Sequence, residues 1–379
     1  RNDREGEPRG GTMNIASSAV KSPPAHQELL PAVSWRGELL TIFLSVWTIA
    51  GAFLDGWAHS KVVQFETFFT PWHGVFYSGF AALSLWIIVV VAANMRDGRA
   101  GWAAVPVGYR LGVIGLAVFT VGTVFDFLWH EVFGIEQAGE RLASPAHLLL
   151  FIGGLLAITS PLRAAWAGIR GDSEAPSLRA FLPGLLSLTL ATTVVAFILG
   201  HLWGFYSADF LGLPQYQQFQ AQFTASPQAV RDLQFLIQAR VAGAILLSNL
   251  ILLAPALLML RRWRVPPGSM TILFVTVTVW MAALREFNYA EVIVVAFLGG
   301  VAADGLLSVL YPRFTSPTTL RVFATAVPLV IWTCYFLAVH FRWSLALSPE
   351  LWVGGVFFTG VSGLALSLLM EPSPRSDAA

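Results

Sequence analysis

The stretch from Leu85 to Ala93 reads LWIIVVVAA, an apolar run without a single charged residue. A strand of a membrane barrel would alternate apolar and polar residues, so an unbroken run favours a helix surrounded by lipid. The whole chain agrees, since 56% of its residues are hydrophobic, 12% are charged, and the mean hydropathy is +0.66. Such a chain cannot be enclosed in a water-facing surface. The sequence therefore predicts an all-α, polytopic integral membrane protein.

The number of crossings follows from the thickness of the bilayer. A hydrocarbon layer of roughly 30 Å needs about 20 apolar residues per helix, which predicts about ten transmembrane helices here. They are expected at residues 37–60, 71–95, 107–132, 145–168, 180–206, 231–260, 269–286, 289–311, 319–341 and 350–370.

These spans divide the chain into four regions. We predict a disordered cytoplasmic tail, a pair of helical hairpins, a transmembrane scaffold and a short second cytoplasmic tail, at residues 1–35, 36–170 (hairpins 36–95 and 107–168), 171–371 and 372–379. The first tail is polar and rich in Pro and Gly, which is typical of disorder.

The distribution of basic residues predicts the orientation. Arg residues are concentrated in alternate loops, and the positive-inside rule makes those loops and both termini cytoplasmic. Six of the seven His residues then lie toward the extracytoplasmic side of a cell (inner) membrane. The net charge of +1 argues against nucleic acid as a partner. The expected partners are the lipid bilayer and, as an open possibility, other membrane subunits.

A polar motif interrupts the first predicted hairpin. Asp55 and His59 are four residues apart and so share one helical face. Thr70 and Pro71 suit the N-cap and first position of the next helix, which places His73 in its first turn. The antiparallel hairpin is expected to bring His73 to the point that Asp55 and His59 face.

The second hairpin carries a similar motif. Asp126 and His130 are again four residues apart, and Ser144 and Pro145 precede His147. Each copy also has an intervening Glu, at Glu66 or Glu136. The pattern predicts one αα-hairpin used twice, as a tandem repeat.

Two His and one carboxylate form a site suited to copper, zinc or iron. The predicted metal ligands are Asp55, His59, His73, Asp126, His130 and His147, with Glu66, Glu136, Thr70 and Ser144 in supporting positions around them. Sequence leaves open whether the two sets form separate mononuclear sites or one dinuclear centre. It also leaves open a purely structural cluster of polar groups hydrogen-bonded between helices.

The segment ETFFTPWH, residues 66–73, together with Asp55 and His59, resembles the metal-binding segment of the C subunit of the copper membrane monooxygenases. That family includes the particulate methane and ammonia monooxygenases. The resemblance implies copper bound by Asp55, His59 and His73, and an oxidation reaction on a small or lipid-soluble substrate. The gap between His59 and His73 is one residue longer than the family's, and this chain has more predicted spans than a typical C subunit.

Three classes of function remain open from the sequence. The first is a copper-dependent oxidase or monooxygenase component working at the extracytoplasmic face. The second is electron transfer between quinol and haem held by pairs of His ligands. The third is a transporter or metal-delivery protein, for which tandem hairpins with polar groups inside the membrane are common.

Overall fold

The fold is seen in a computed structural model that describes residues 31–61, 68–134, 144–169, 175–222, 226–311 and 317–370. The described residues are overwhelmingly helical, and their one strand-like pairing is an isolated bridge between Gly212 and Leu345. The predicted terminal tails lie mostly outside the described residues. The all-α fold is confirmed.

The described residues of the first half of the chain form six helices. Two long hairpins come first, and the second arm of the second hairpin is interrupted. The helices are α1 (Trp35–Lys61), α2 (Pro71–Arg96), α3 (Arg110–Phe133), α4 (Pro145–Ile158), α5 (Ser160–Gly168) and α6 (Leu178–Ile198).

In the second half, the part of the chain that the structure describes contains two short helices followed by five long ones. They are α7 (Ala208–Leu211), α8 (Leu213–Ala221), α9 (Pro227–Arg262), α10 (Ser269–Leu284), α11 (Glu291–Leu310), α12 (Pro317–Trp343) and α13 (Pro349–Leu369).

Within the described ranges, nine helical segments are long and apolar enough to cross a membrane, with α4 and α5 together counting as one. The remaining predicted span, 269–286, corresponds to α10, which has only 16 residues. Its N-terminus is capped from α11, where Asp304 accepts hydrogen bonds from the backbone N–H of Met270 and Thr271. This capping satisfies backbone donors that a short helix end would otherwise leave unpaired inside the bundle.

The α4–α5 break occurs where Pro161 removes a backbone donor. Arg163 supplies side-chain donors at this break. Its guanidinium donates to the carbonyl of Leu156 at 2.6 Å and to that of Gly108 at 2.8 Å. The two pieces therefore remain one crossing despite the interruption.

One predicted boundary is wrong. The span expected at 180–206 ends at Ile198, and the chain then turns through two short 3-10 segments, Gly200–Leu202 and Gly204–Ser207. Gly204 is pressed against α9, where its N–H donates to Ser248 Oγ at 2.6 Å. A side chain at Gly204 would lie 2.9 Å from the backbone of Ile245, so this close approach requires glycine. Tertiary packing thus bends a stretch whose composition fits a longer helix.

The two hairpins each pack closely through glycine. In the first, a Cβ added at Gly51 would lie 2.3 Å from the backbone of Phe76. In the second, one added at Gly153 would lie 2.5 Å from the backbone of Phe119. The hairpins then meet where α2 contacts α3, with the rings of Phe80 and Phe119 stacked at 3.5 Å between centroids. This packing places the Asp- and His-bearing ends of all four arms around one point.

Candidate metal centre

Asp55 and His59 occupy the last turns of α1 and face the same way. The distance from His59 Nε2 to Asp55 Oδ2 is 3.7 Å. Both side chains are largely shielded, at 15% and 4% exposure respectively. A carboxylate this deep among apolar helices is costly unless a cation or strong hydrogen bonds compensate it.

The next helix begins where the sequence predicted it to begin. Thr70 is the N-cap of α2, and its hydroxyl accepts a hydrogen bond from the backbone N–H of His73 at 3.2 Å. Pro71 occupies the first helical position. The first turn of α2 thereby holds His73 with its Nε2 atom 3.3 Å from Asp55 Oδ1.

The other ring nitrogen of His73 faces a backbone carbonyl. Nδ1 lies 2.5 Å from the carbonyl oxygen of Phe68. A carbonyl can only accept, so Nδ1 carries a proton. Nε2 is then the ring nitrogen that faces the Asp55 carboxylate. Either a proton on Nε2 or a metal ion between the two atoms would hold this pair together.

The second hairpin repeats this arrangement. His130 Nδ1 lies 3.3 Å from the carbonyl oxygen of Gly134, while its Nε2 lies 3.5 Å from Asp126 Oδ1. His147, near the start of α4, places its Nε2 3.2 Å from the same Asp126 oxygen. Neither Asp126 Oδ1 nor His130 Nε2 has a hydrogen-bond partner among the described residues.

The two motifs converge on one cluster. Candidate ligand atoms of Asp55, His59 and His73 all lie within 4.8 Å of one another, and so do those of His73, Asp126 and His130. His73 therefore belongs to both groups. The His73 and His130 rings are 6.0 Å apart between centroids. All six sequence-predicted ligands are brought together at the same end of the bundle.

The distances between donors suit metal coordination. Donors bound at about 2.0–2.2 Å around a tetrahedral ion lie about 3.4 Å from one another. The nearest His–Asp separations in this cluster run from 3.2 to 3.7 Å. Metal-bound His usually donates its other ring N–H to a carbonyl or carboxylate, as His73 does toward Phe68. The residues present therefore fit a metal ion.

Tyr77 is a site residue that sequence reasoning missed. From α2 its hydroxyl donates to Asp126 Oδ2 at 2.6 Å, linking one hairpin to the other. The bond occupies one Asp126 oxygen and leaves Oδ1 facing His130 and His147. In the sequence, Tyr77 is an aromatic residue one turn after His73 on an apolar helix, which is ordinary for a core position. No sequence pattern therefore identified it as a site residue.

The predicted supporting residues divide into three cases. Thr70 positions the first turn of α2, as described above. Ser144 occupies the corresponding N-cap of α4 and is buried, but its hydroxyl makes no capping hydrogen bond. Glu66 and Glu136 lie outside the described residues.

A cavity of about 560 Å³ adjoins the cluster. Asp55, His59 and His147 form part of its wall. The opposite elements contribute Tyr206 and Tyr289, whose phenol pKa values are raised above the ordinary range, chiefly by burial. The cluster therefore borders a cavity that later parts of the chain help to line.

Compared with models of known families, with curated proteins and with solved structures, the chain gives no match. The likeness to the copper monooxygenase C subunit thus depends on the residues of the motif alone.

Proposed function

We propose that this chain is a membrane metalloprotein whose two helical hairpins jointly hold a dinuclear metal centre. The ligands are Asp55, His59 and His73 from the first hairpin and Asp126, His130 and His147 from the second. The observation that carries the proposal is the pair of His residues, His73 and His130, whose Nδ1 atoms face backbone carbonyls while their Nε2 atoms face carboxylates.

Two ions fit better than one. A single octahedral ion with bonds of about 2.1 Å would place all six donors within about 4.2 Å of one another. Here five of the donors instead form two overlapping groups of three that share His73, and the sixth, His147, lies beside Asp126. Two adjacent ions would satisfy both groups and would separate the two carboxylates with positive charge.

Copper is the proposed metal, with zinc and iron as the other ions suited to these ligands. Four imidazoles and two carboxylates form a nitrogen-rich site without thiolate, which suits all three metals. The motif's resemblance to the copper monooxygenases favours copper. When bound, copper would supply one-electron redox chemistry, consistent with oxidation of a small or lipid-soluble substrate.

The chain's own residues would orient the metal ligands and pack against them. Phe68 orients His73 through its carbonyl and also stacks on the ring, at 4.7 Å between centroids. Tyr77 holds one oxygen of Asp126 so that the other faces the centre. By the distribution of Arg, this end of the bundle is proposed to be extracytoplasmic, in the cell membrane.

The haem alternative is less compatible with the geometry. An axial haem ligand needs open space beyond Nε2 for a porphyrin, but carboxylate oxygens lie 3.2–3.7 Å from the Nε2 atoms of all four His residues. The Asp side chains that favour a metal ion therefore exclude the macrocycle from the same place.

The proposal is tested by metal analysis of protein purified in detergent and loaded with copper, zinc or iron. About two ions per chain are expected in the wild type. A His59→Ala/His130→Ala double variant should lose them, because each substitution removes a ligand from one group. His340→Ala is the matched control, since His340 lies near the end of α12 outside the cluster. A wild type that retains none of the three metals would refute the proposal.

A further inference from the structure

A second cavity lies at the opposite end of the first helix from the metal cluster. Its volume is about 340 Å³, and its wall is formed by the start of α1, the turn before α3, α5 and the start of α6. Glu38 lines it from the first turn of α1. At a rise of about 1.5 Å per residue, Glu38 and Asp55 are about 25 Å apart along the helix axis. The cavity is therefore separate from the cluster.

Small residues on α5 and α6 leave this space open. Ala164, Ala165 and Gly168 line the cavity from α5, and Gly184 lines it from α6. A Cβ at Gly184 would lie 2.7 Å from the Cβ of Ala165, so the two helices touch there. A Cβ at Gly168 would meet no atom within 4 Å. The helices thus meet at one point of the wall and leave room beside it.

The carboxyl group of Glu38 is held at one of its two oxygens. Its Oε2 accepts a hydrogen bond from the Tyr109 hydroxyl at 2.7 Å. Tyr109 is fully buried and lies 2.9 Å from Thr41 Oγ1, which accepts from Trp86 Nε1 at 2.9 Å. Among the described residues, no donor contacts Oε1 of Glu38. This network fixes the carboxyl group and leaves one oxygen available to a ligand.

In the described part of the chain, no positive side chain forms an ion pair with this carboxylate. Glu38 is only 8% exposed, and it is the one ionisable residue among the described residues of the cavity wall. Arg163 on α5 donates to backbone carbonyls instead, and Arg179 lies over the ring of Trp35, 4.7 Å from its centroid. A buried carboxylate without a counter-ion is costly, so a cation in the cavity would offset that cost.

The wall suits an organic cation better than a metal ion. Hard metal ions take about six or more oxygen ligands. Of the side chains that the structure describes in this wall, only Glu38 carries an oxygen. The others are aliphatic or aromatic, as at Val33, Trp35 and Ile169. An ammonium group can pair with a single carboxylate, and the apolar surface suits the hydrocarbon attached to it.

We propose that this cavity binds an organic ammonium compound, whose charged nitrogen pairs with Glu38 and whose apolar body packs against α5 and α6. The volume is near the lower end of the range for small-molecule sites, which favours a compact ligand. The inference adds a second site to the proposed function and does not rest on the metal centre.

The test is equilibrium binding of radiolabelled cyclohexylmethylamine to the full chain in phosphatidylglycerol nanodiscs, with empty nanodiscs as the blank. Glu38→Gln should weaken binding about tenfold or more, because it removes the charge but keeps an oxygen that can accept from Tyr109. Glu350→Gln is the matched control, since Glu350 is exposed in the first turn of α13. It should bind the amine as the wild type does. Equal binding by wild type and Glu38→Gln would overturn the proposal.

Competition with unlabelled cyclohexylmethanol and cyclohexanecarboxylate tests the charge of the ligand, because both carry the same ring as the amine. Weak competition by both supports a cation site. If the alcohol competed as well as unlabelled amine does, the site would bind neutral donors and the ammonium assignment would be wrong. This comparison uses the wild type alone, so it decides the question even where Glu38→Gln fails to fold.

A further variant checks the place of binding. Loss of amine binding in Asp55→Asn, with binding kept in Glu38→Gln, would place the amine at the metal cluster and refute the Glu38 site. Metal content is measured on the same protein. A chain that binds the amine through Glu38 but holds no metal supports this site and refutes the proposed centre, whereas a chain that holds metal but binds no amine does the reverse.

The lipid composition of the nanodiscs distinguishes two sources of the ammonium group. If phosphatidylethanolamine added to the nanodiscs reduces binding of the labelled amine, the result supports occupation of the site by a lipid head group. If it leaves binding unchanged, the result supports a free amine as the ligand.

Discussion

The imidazole tautomers are the residue-scale feature with the largest consequence. His73 and His130 each have a carbonyl oxygen at Nδ1 and a carboxylate oxygen near Nε2. Rings protonated for ion pairing would bury several charged groups away from water, which is costly. The proposed metal centre would instead place its positive charge between both carboxylates.

Tyr77 allows a test at the same scale. Tyr77→Phe removes the hydrogen bond to Asp126 Oδ2 without changing the shape of the side chain. Residues that orient metal ligands usually contribute about 10–100-fold to metal affinity, so weakening in that range is expected. A competition titration with a chelator measures it.

Tyr311→Phe is the control, since Tyr311 bonds to the backbone of Val265 outside the cluster. Unchanged metal affinity in Tyr77→Phe would show that Asp126 does not need the hydrogen bond from Tyr77 to be oriented.

At the scale of elements, the glycine contacts between paired helices set where the ligands meet. Gly51 lies one turn before Asp55 and contacts the backbone of Phe76, which follows His73 by three residues. The close approach of α1 and α2 therefore determines the separation between Asp55 and His73.

Gly51→Ala should push these two helices apart. The added Cβ would lie 2.3 Å from the Phe76 backbone, which cannot move aside as a flexible side chain can. Overpacking of this kind typically costs about 1–3 kcal/mol. We expect a lower thermal unfolding temperature together with reduced metal binding, measured by a thermal shift assay and by metal analysis of the same preparation.

Gly354→Ala is the matched control, because a Cβ at Gly354 on α13 meets no atom within 4 Å. Alanine favours helix over glycine, so this variant should be as stable as the wild type or slightly more stable. If Gly51→Ala and Gly354→Ala had equal unfolding temperatures and equal metal contents, Gly51 would not set the separation between α1 and α2.

Sequence predicted most of these elements because each depends on a local signal. The apolar runs predicted the transmembrane helices, and Thr70 with Pro71 predicted the start of α2. The end of α6 at Ile198 was missed because it depends on the contact between Gly204 and Ser248, which are 44 residues apart. The tandem repeat remains a prediction, although the two hairpins use the same His–Asp geometry.

At the scale of the whole molecule, the meeting of the two hairpins brings the two motifs into one cluster of side chains. Spacing within a hairpin predicted each set of ligands, but no local pattern predicted that α2 packs on α3. That packing depends on the stacked rings of Phe80 and Phe119 and on the bond from Tyr77 to Asp126. The cavity likewise combines α1 and α4 with later parts of the chain, including Arg240 and Arg285, and no motif indicated it.

X-ray absorption spectroscopy of the copper-loaded chain would show whether His and Asp side chains of both hairpins hold the metal. We expect a nitrogen and oxygen shell at about 2.0 Å with the multiple scattering of imidazole. This shell should weaken in the His59→Ala/His130→Ala variant and persist in His340→Ala. A sulfur shell at about 2.3 Å, or an oxygen shell without imidazole that is the same in all three proteins, would contradict it.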